Sequence, residues 1–220
     1  MTSRIRILIT VAVVMALGVV GCGGSGDGSE AEVPDFALSD LEALSFSPDE
    51  IPAMEFQPDA SGPGAFAADQ RGEEEEEEEG DDDDGDEGGE SNAEFLRRLE
   101  RLGLEGDYVS QFFATSRDSE LVFVESIVFL FEDDGAAGEA IATVAKGTAR
   151  NIAPAEAIPA PELGDDPFGQ RGDFDGFLTY TFGWRTGDAI QLITVAPGGQ
   201  KVGPKSTVEL AERLAAKAQR

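Results

Sequence analysis

The spacing of apolar positions changes along the chain, and the changes mark its elements. From Ile7 to Val20 the apolar residues are continuous, broken only by Thr10 and Gly18. Phe95, Leu96, Leu99 and Leu102 then recur at helical spacing, with Arg97, Arg98, Glu100 and Arg101 between them. Ser91 followed by Glu94 is the capping-box pattern, so the spacing predicts a helix over 94–104 that starts at Ser91 and stops near Gly103 and Gly106. Tyr108 to Thr115 reads as a strand, and Ser116 to Ser119 is turn chemistry. Leu121 to Phe131 is apolar on both alternating faces except at Glu125 and Ser126. That is the signature of a central strand, long enough to bend or bulge at its two polar residues.

Asp133-Asp134-Gly135 opens a second helix, with Ala137, Ala140, Ile141 and Val144 on one stripe and Gly147 weakening its end. Pro154, Pro159 and Pro161 make 152–166 an extended crossing, and the turn residues of 164–176 read as a loop. Phe177 to Trp184 alternates, Arg185 to Asp188 is a tight connection, and Ala189 to Ala196 is the next strand. Ser206 with Glu209 predicts the cap of a last helix whose inner stripe is Leu210, Ala211, Leu214 and Ala218. The expected fold class is α+β. It consists of a single antiparallel sheet of about 4–6 strands with two or three helices packed mainly on one face, in a repeated strand-strand-helix order.

The N-terminal third follows different rules. Arg4 and Arg6 precede the apolar run, and Val19-Val20-Gly21-Cys22 follows it. A run of this length is too short for a bilayer span of about 20 residues and fits the core of a secretory signal. The residues before Cys22 resemble a bacterial lipobox. The resemblance implies lipidation of the Cys22 thiol by diacylglycerol, cleavage before it, and anchoring to the cell membrane on the extracytoplasmic side. Two or more acyl chains anchor stably.

Five regions result. Residues 1–21 are the expected lipoprotein signal peptide and 22–35 a flexible Gly/Ser tether. Residues 36–58 form a short semi-ordered segment, with a helical turn after Ser47 and an extended piece near Met54, expected to dock on the domain. Residues 59–90 are an expected disordered linker with an acidic run, and 91–220 are the α+β extracytoplasmic domain.

The net charge of -29 comes from 45 acids and 16 bases. Within 73–90 there are 14 acids, a run that repels itself and buries nothing. Its glycines do not match calcium-loop spacing, so no metal site is expected there. With no histidine and one cysteine, the chain has no imidazole base, no Ser-His or Cys-His pair and no intramolecular disulfide. Its acidity excludes nucleic acid as a partner. No cofactor motif is present: Gly198-Gly199 lacks the continuation of a phosphate loop.

The remaining catalytic option is a carboxylate pair drawn from Asp165, Asp166, Asp173 and Asp175, a hydrolase arrangement that ordinary turn chemistry explains as well. Trp184 and Arg185, at a strand end, are the candidate ligand contacts.

Four stretches carry a family resemblance: Pro48 to Pro52, Val128 to Phe131 with the helix beginning at Asp133, Glu162 to Asp166, and Trp184 to Ile190 followed by an alanine-rich helix. Together they resemble actinobacterial-type membrane-anchored lipoproteins whose domain is similar to the extracellular sensor domains of mycobacterial serine/threonine kinases. The resemblance implies a non-catalytic binding or sensor-like module, with partners at the membrane, through the lipid on Cys22, and a small-molecule or envelope-component ligand. The alternative is a structural lipoprotein whose acidic spacer acts on the envelope.

Overall fold

The computed structural model describes residues 34–51, 54–77, 91–116, 119–174, 176–198 and 204–219. Cys22, the expected signal peptide and residues 78–90 of the acidic run lie outside the described residues. The strands are β1 (Met54–Phe56), β2 (Gly62–Pro63), β3 (Leu104–Ala114), β4 (Leu121–Phe131), β5 (Glu156–Ile158), β6 (Asp165–Phe174), β7 (Phe177–Thr186) and β8 (Ala189–Pro197). They form one sheet in the order β1-β3-β4-β8-β7-β6-β5, with β2 also on β3. Every pairing is antiparallel.

Eight strands exceed the expected 4–6. β1, β2 and β5 are short pieces at the margins. β6 occupies the region read as a loop. Its side chains are mostly exposed, so it has no apolar alternation to read, and its pairing to β7 from Phe168 to Phe174 holds it instead. β4 pairs in register through Glu125, and its irregularity lies between Leu121 and Phe123. β3 starts at Leu104, four residues before the strand expected from Tyr108.

The helices are α1 (Leu41–Leu44), α2 (Ala65–Glu77), α3 (Asn92–Arg101), α4 (Asp134–Asn151) and α5 (Pro204–Ala215). Ser91 caps α3 through its Oγ, which accepts from Glu94 N at 3.2 Å, and Asp133 Oδ1 caps α4 by accepting from Ala136 N at 2.8 Å. α5 begins at Pro204 rather than after Ser206, because proline's missing N–H is harmless in a first turn. Gly147 does not end α4. It allows a close approach, since a Cβ there would meet the Phe95 ring at 2.5 Å.

The helices cover both faces of the sheet, which corrects the one-face layering. On the first face α3 and α4 bury Phe95, Leu99, Ala140 and Val144 against Ile127, Phe129, Phe131, Ile190 and Leu192. On the second, α5 and the segment around α1 bury Leu210, Leu214, Phe46 and Ile51 against Val124, Phe182, Trp184, Ile193 and Val195. Leu41 and Leu44 pack there with Val128 and Leu130. The reason is in β4 itself: both of its alternating rows are apolar, and neither can be left in water.

Of the expected semi-ordered segment 36–58, residues 36–51 pack on the second face. Ser45 Oγ lies 2.8 Å from Ser110 Oγ and 2.7 Å from Ser126 Oγ, and Ser110 Oγ donates to Phe46 O at 2.8 Å. The chain then pairs along the β3 edge through β1 and β2 and reaches the first face as α2. The expected linker 59–90 is therefore ordered through Glu77. Asp107 holds the start of α2 by accepting from Phe66 N at 3.0 Å and Ala67 N at 3.4 Å. The Phe66 ring stands edge-on to Phe129 at 4.9 Å and to Phe95 at 6.1 Å.

Candidate functional site

Between the first face of the sheet and the helices lies a cavity of about 480 Å³. Its floor is built by β3, β4, β7 and β8, with Phe123, Ile127, Phe129 and Leu192 as the apolar part. Phe66 and Gln70 of α2, Phe95 of α3, and Gly147 and Thr148 of α4 wall it. Phe113 and Phe174 also line it and are 45% and 47% exposed, which places aromatic rings at its rim. Phe123 bridges them, 5.1 Å from Phe113 and stacked 6.4 Å from Phe174.

The sheet register lays a polar row across this apolar floor. Gln111 is opposite Glu125, Glu125 opposite Thr194, Thr194 opposite Thr181, and Thr181 opposite Gln170. Gln111 Nε2 donates to Glu125 Oε1 at 2.7 Å, and the two threonine hydroxyls lie 3.1 Å apart. Gln170 is tied to α4, donating to Ala145 O at 2.7 Å and accepting from Thr148 Oγ1 at 3.1 Å. Burial pushes the Glu125 carboxyl above the usual range; the Gln111 hydrogen bond opposes this, and the negative charge of Asp69 on α2 adds to it. A smaller recess of about 250 Å³ shares Glu125, Gln111 and Asp69 with the cavity and is also bordered by Asp59. No lysine or arginine lines either space among the described residues.

The sequence-predicted residues lie elsewhere. Trp184 is fully buried on the second face, its Nε1 donating to Gln191 Oε1 at 3.0 Å. Arg185 is held by three carboxylates: it bonds Asp134, lies 3.4 Å from Asp165 and donates to Asp166 at 3.2 Å. Its cation is matched inside the domain, where it ties the start of β6 to α4, and neither residue lines the cavity. That ion cluster also accounts for Asp165 and Asp166. Asp173 accepts from Gly176 N at 2.8 Å, closing the β6–β7 turn, and Asp175 lies outside the described residues. Among the described residues, Asp165 and Asp166 thus meet at Arg185 and Asp173 closes a turn, two separate structural tasks.

The cavity was missed in the sequence because register assembles it from five strands. Its one visible sign was Glu125, an ionisable residue interrupting the most apolar strand. Among the described residues no helix is long and apolar enough to cross a membrane.

No family model matches the chain, and no curated protein does either. Among solved structures it is similar to the extracellular domain of PknH from Mycobacterium tuberculosis. The TM-score is 0.49 and the identity 11%, over 83% of this chain and 94% of that one. A likeness of this degree transfers no residue role.

Proposed function

We propose that the protein is a non-catalytic binding module, lipid-anchored through Cys22 on the extracytoplasmic side of the cell membrane, that takes a small, largely apolar ligand into the cavity under α2, α3 and α4. The observation that supports this reading is the cavity itself, about 480 Å³ and walled by phenylalanines with a few polar groups at one level. Ligand pockets usually enclose about 300–1,000 Å³ and combine an apolar lining with a few orienting polar groups. A domain with only a structural task has no reason to leave such a space next to Phe129, because an unfilled apolar cavity lowers stability. The Gly/Ser tether after Cys22 would hold the domain away from the bilayer.

The test has two parts. Native mass spectrometry of the protein released gently from its membrane fraction should show a bound small molecule, and the neutral dye N-phenyl-1-naphthylamine should gain fluorescence on the emptied domain. Absence of both sinks the binding reading. For the anchor, Cys22→Ala should leave the chain unprocessed and unlipidated; identical soluble fractionation of variant and wild type would refute it.

A further inference from the structure

Resting on the binding reading above, we infer that the ligand is an organic cation, an apolar body carrying a protonated or quaternary amine, and that Glu125 is the residue that receives its positive nitrogen. Three observations carry this.

First, the polar groups of the cavity are unbalanced in sign. Glu125 and Asp69 line the main space, Asp59 borders the recess beside them, and no base lines either among the described residues. An anionic ligand would meet only repulsion there, whereas a cation supplies the missing countercharge.

Second, Glu125 sits among aromatic rings. Phe66, Phe123 and Phe129 line the same space, and ring faces attract a cation held close to them. The carboxyl is held from one side by Gln111 and has Thr194 opposite it on β8, so it is oriented in the floor of the cavity.

Third, the acidic run begins on the helix that walls the cavity. Asp69 and Gln70 are on α2, which continues through Glu73 to Glu77. The sequence of α2 thus joins the cavity wall to the start of the acidic run, and a chain segment of high negative charge attracts cations to the protein.

The cation also accounts for Glu125 being tolerated. Burial and Asp69 both disfavour its charged form in the empty protein. A bound ammonium reverses that balance and favours the ionised carboxylate. Affinity therefore rises with pH while the empty site is still partly protonated and levels off once it is ionised. Among the described residues the groups facing Glu125 are Gln111 on β3, Thr194 on β8, Asp69 on α2 and, across the recess, Asp59; Asp69 is the only other ionisable one lining the main cavity.

The experiment uses the full chain and two probes with one carbon skeleton, 4-phenylbutylammonium and 4-phenylbutan-1-ol, measured by titration calorimetry at pH 5.5 and 7.5. The ammonium should bind at least about tenfold tighter than the alcohol, as a desolvated charge pair implies. Its affinity should not fall as pH rises, and any gain should be matched by proton release, shown by buffers of different ionisation enthalpy; a fall would overturn the assignment of Glu125. Glu125→Gln keeps the shape and the Gln111 contact. It should weaken the ammonium about tenfold and leave the alcohol within about threefold. Asp69→Asn, on the exposed rim, should weaken the ammonium by about two- to threefold, as a screened rim charge would. Equal binding of both probes, unchanged by Glu125→Gln, overturns the cation assignment and leaves the apolar site standing. No binding of either probe, with no uptake of the neutral naphthylamine dye, overturns the binding reading itself.

Discussion

Val128→Ala separates a sheet covered on both faces from one covered on a single face. Val128 is fully buried, in a cluster with Leu41, Leu44, Leu130, Ala189 and Ala218 on the second face of β4. The substitution removes two methyl groups, worth about 0.8 kcal/mol each in transfer free energy. The hole they leave, about 50 Å³, adds roughly 1 kcal/mol at about 24 cal/mol per Å³ if the neighbours do not collapse. The expected loss is about 2–3 kcal/mol. Phe129, on the opposite row, is 1% exposed and borders the cavity. Its truncation enlarges a space that already exists, so Phe129→Ala should cost about 3 kcal/mol, the low end for phenylalanine. Equilibrium urea unfolding of both variants, with unchanged denaturant slope, gives these numbers directly. A loss below about 0.5 kcal/mol for Val128→Ala, the size of a surface change, would mean that α1 and α5 do not cover that face.

Three further outcomes follow from the packing of the N-terminal segment. Asp107→Ala removes the carboxylate that receives Phe66 N and Ala67 N, so it should cost about 1–2 kcal/mol. It should also raise amide exchange in α2 selectively, and exchange spread evenly over α2 and α4 would refute the capping role. Ser45→Ala breaks the buried hydroxyl cluster with Ser110 and Ser126 and should cost about 1–3 kcal/mol by urea unfolding, whereas a neutral result would mean that water replaces the hydroxyl. Asp188 has its pKa raised to about 6 from an ordinary 3.8, chiefly by burial. Between those values the folded state holds the proton more tightly than the unfolded chain. The stability it contributes is full below about pH 4, falls as pH rises to about 6 and is then lost. Asp188→Asn should flatten that decline by about 1 kcal/mol after allowance for solvent screening; parallel pH profiles of variant and wild type would contradict it.

The elements legible in the sequence are those whose own residues carry their burial and their caps. β4 shows a continuous apolar run, β7 alternates, and α3 and α4 announce themselves with Ser91 and Asp133. α2 has almost none of this. Its residues include one phenylalanine and five consecutive glutamates, and its N-terminal carboxylate, Asp107, is forty-one residues away from Phe66 on another element. β6 is equally silent, because backbone pairing holds it and most of its side chains face water. The second covered face was visible in principle, since both rows of β4 are apolar, but a strand pattern does not say which helix lies over which row. The polar row is the least legible feature. Gln111, Thr181, Thr194 and Gln170 are unremarkable singly, and only the register of four strand pairs puts them in line with Glu125.

The same wrapping explains why the candidate site is placed where it is. Residues 36–51 lie on one face, 54–63 run along the β3 edge, and α2 lies on the other face. Buried carboxylates of the sheet and its hairpin hold both ends of this path: Asp188 accepts from Phe36 N at 3.1 Å, and Asp107 accepts from Phe66 N. Burial pushes both above their ordinary range. Each is nevertheless matched by backbone N–H groups that favour its charged form. Among the described residues Glu125 has only the Gln111 amide, and its ionisable neighbour on α2, Asp69, is an acid. Of these three sheet acids it is the one whose charge the protein leaves without a cationic or backbone partner. An uncompensated group of this kind lowers stability, and a packed alternative, an apolar residue continuing the row of Ile127 and Phe129, would remove the loss. A carboxyl placed at the floor of an aromatic cavity under these conditions is better accounted for by what enters the cavity than by anything the fold requires.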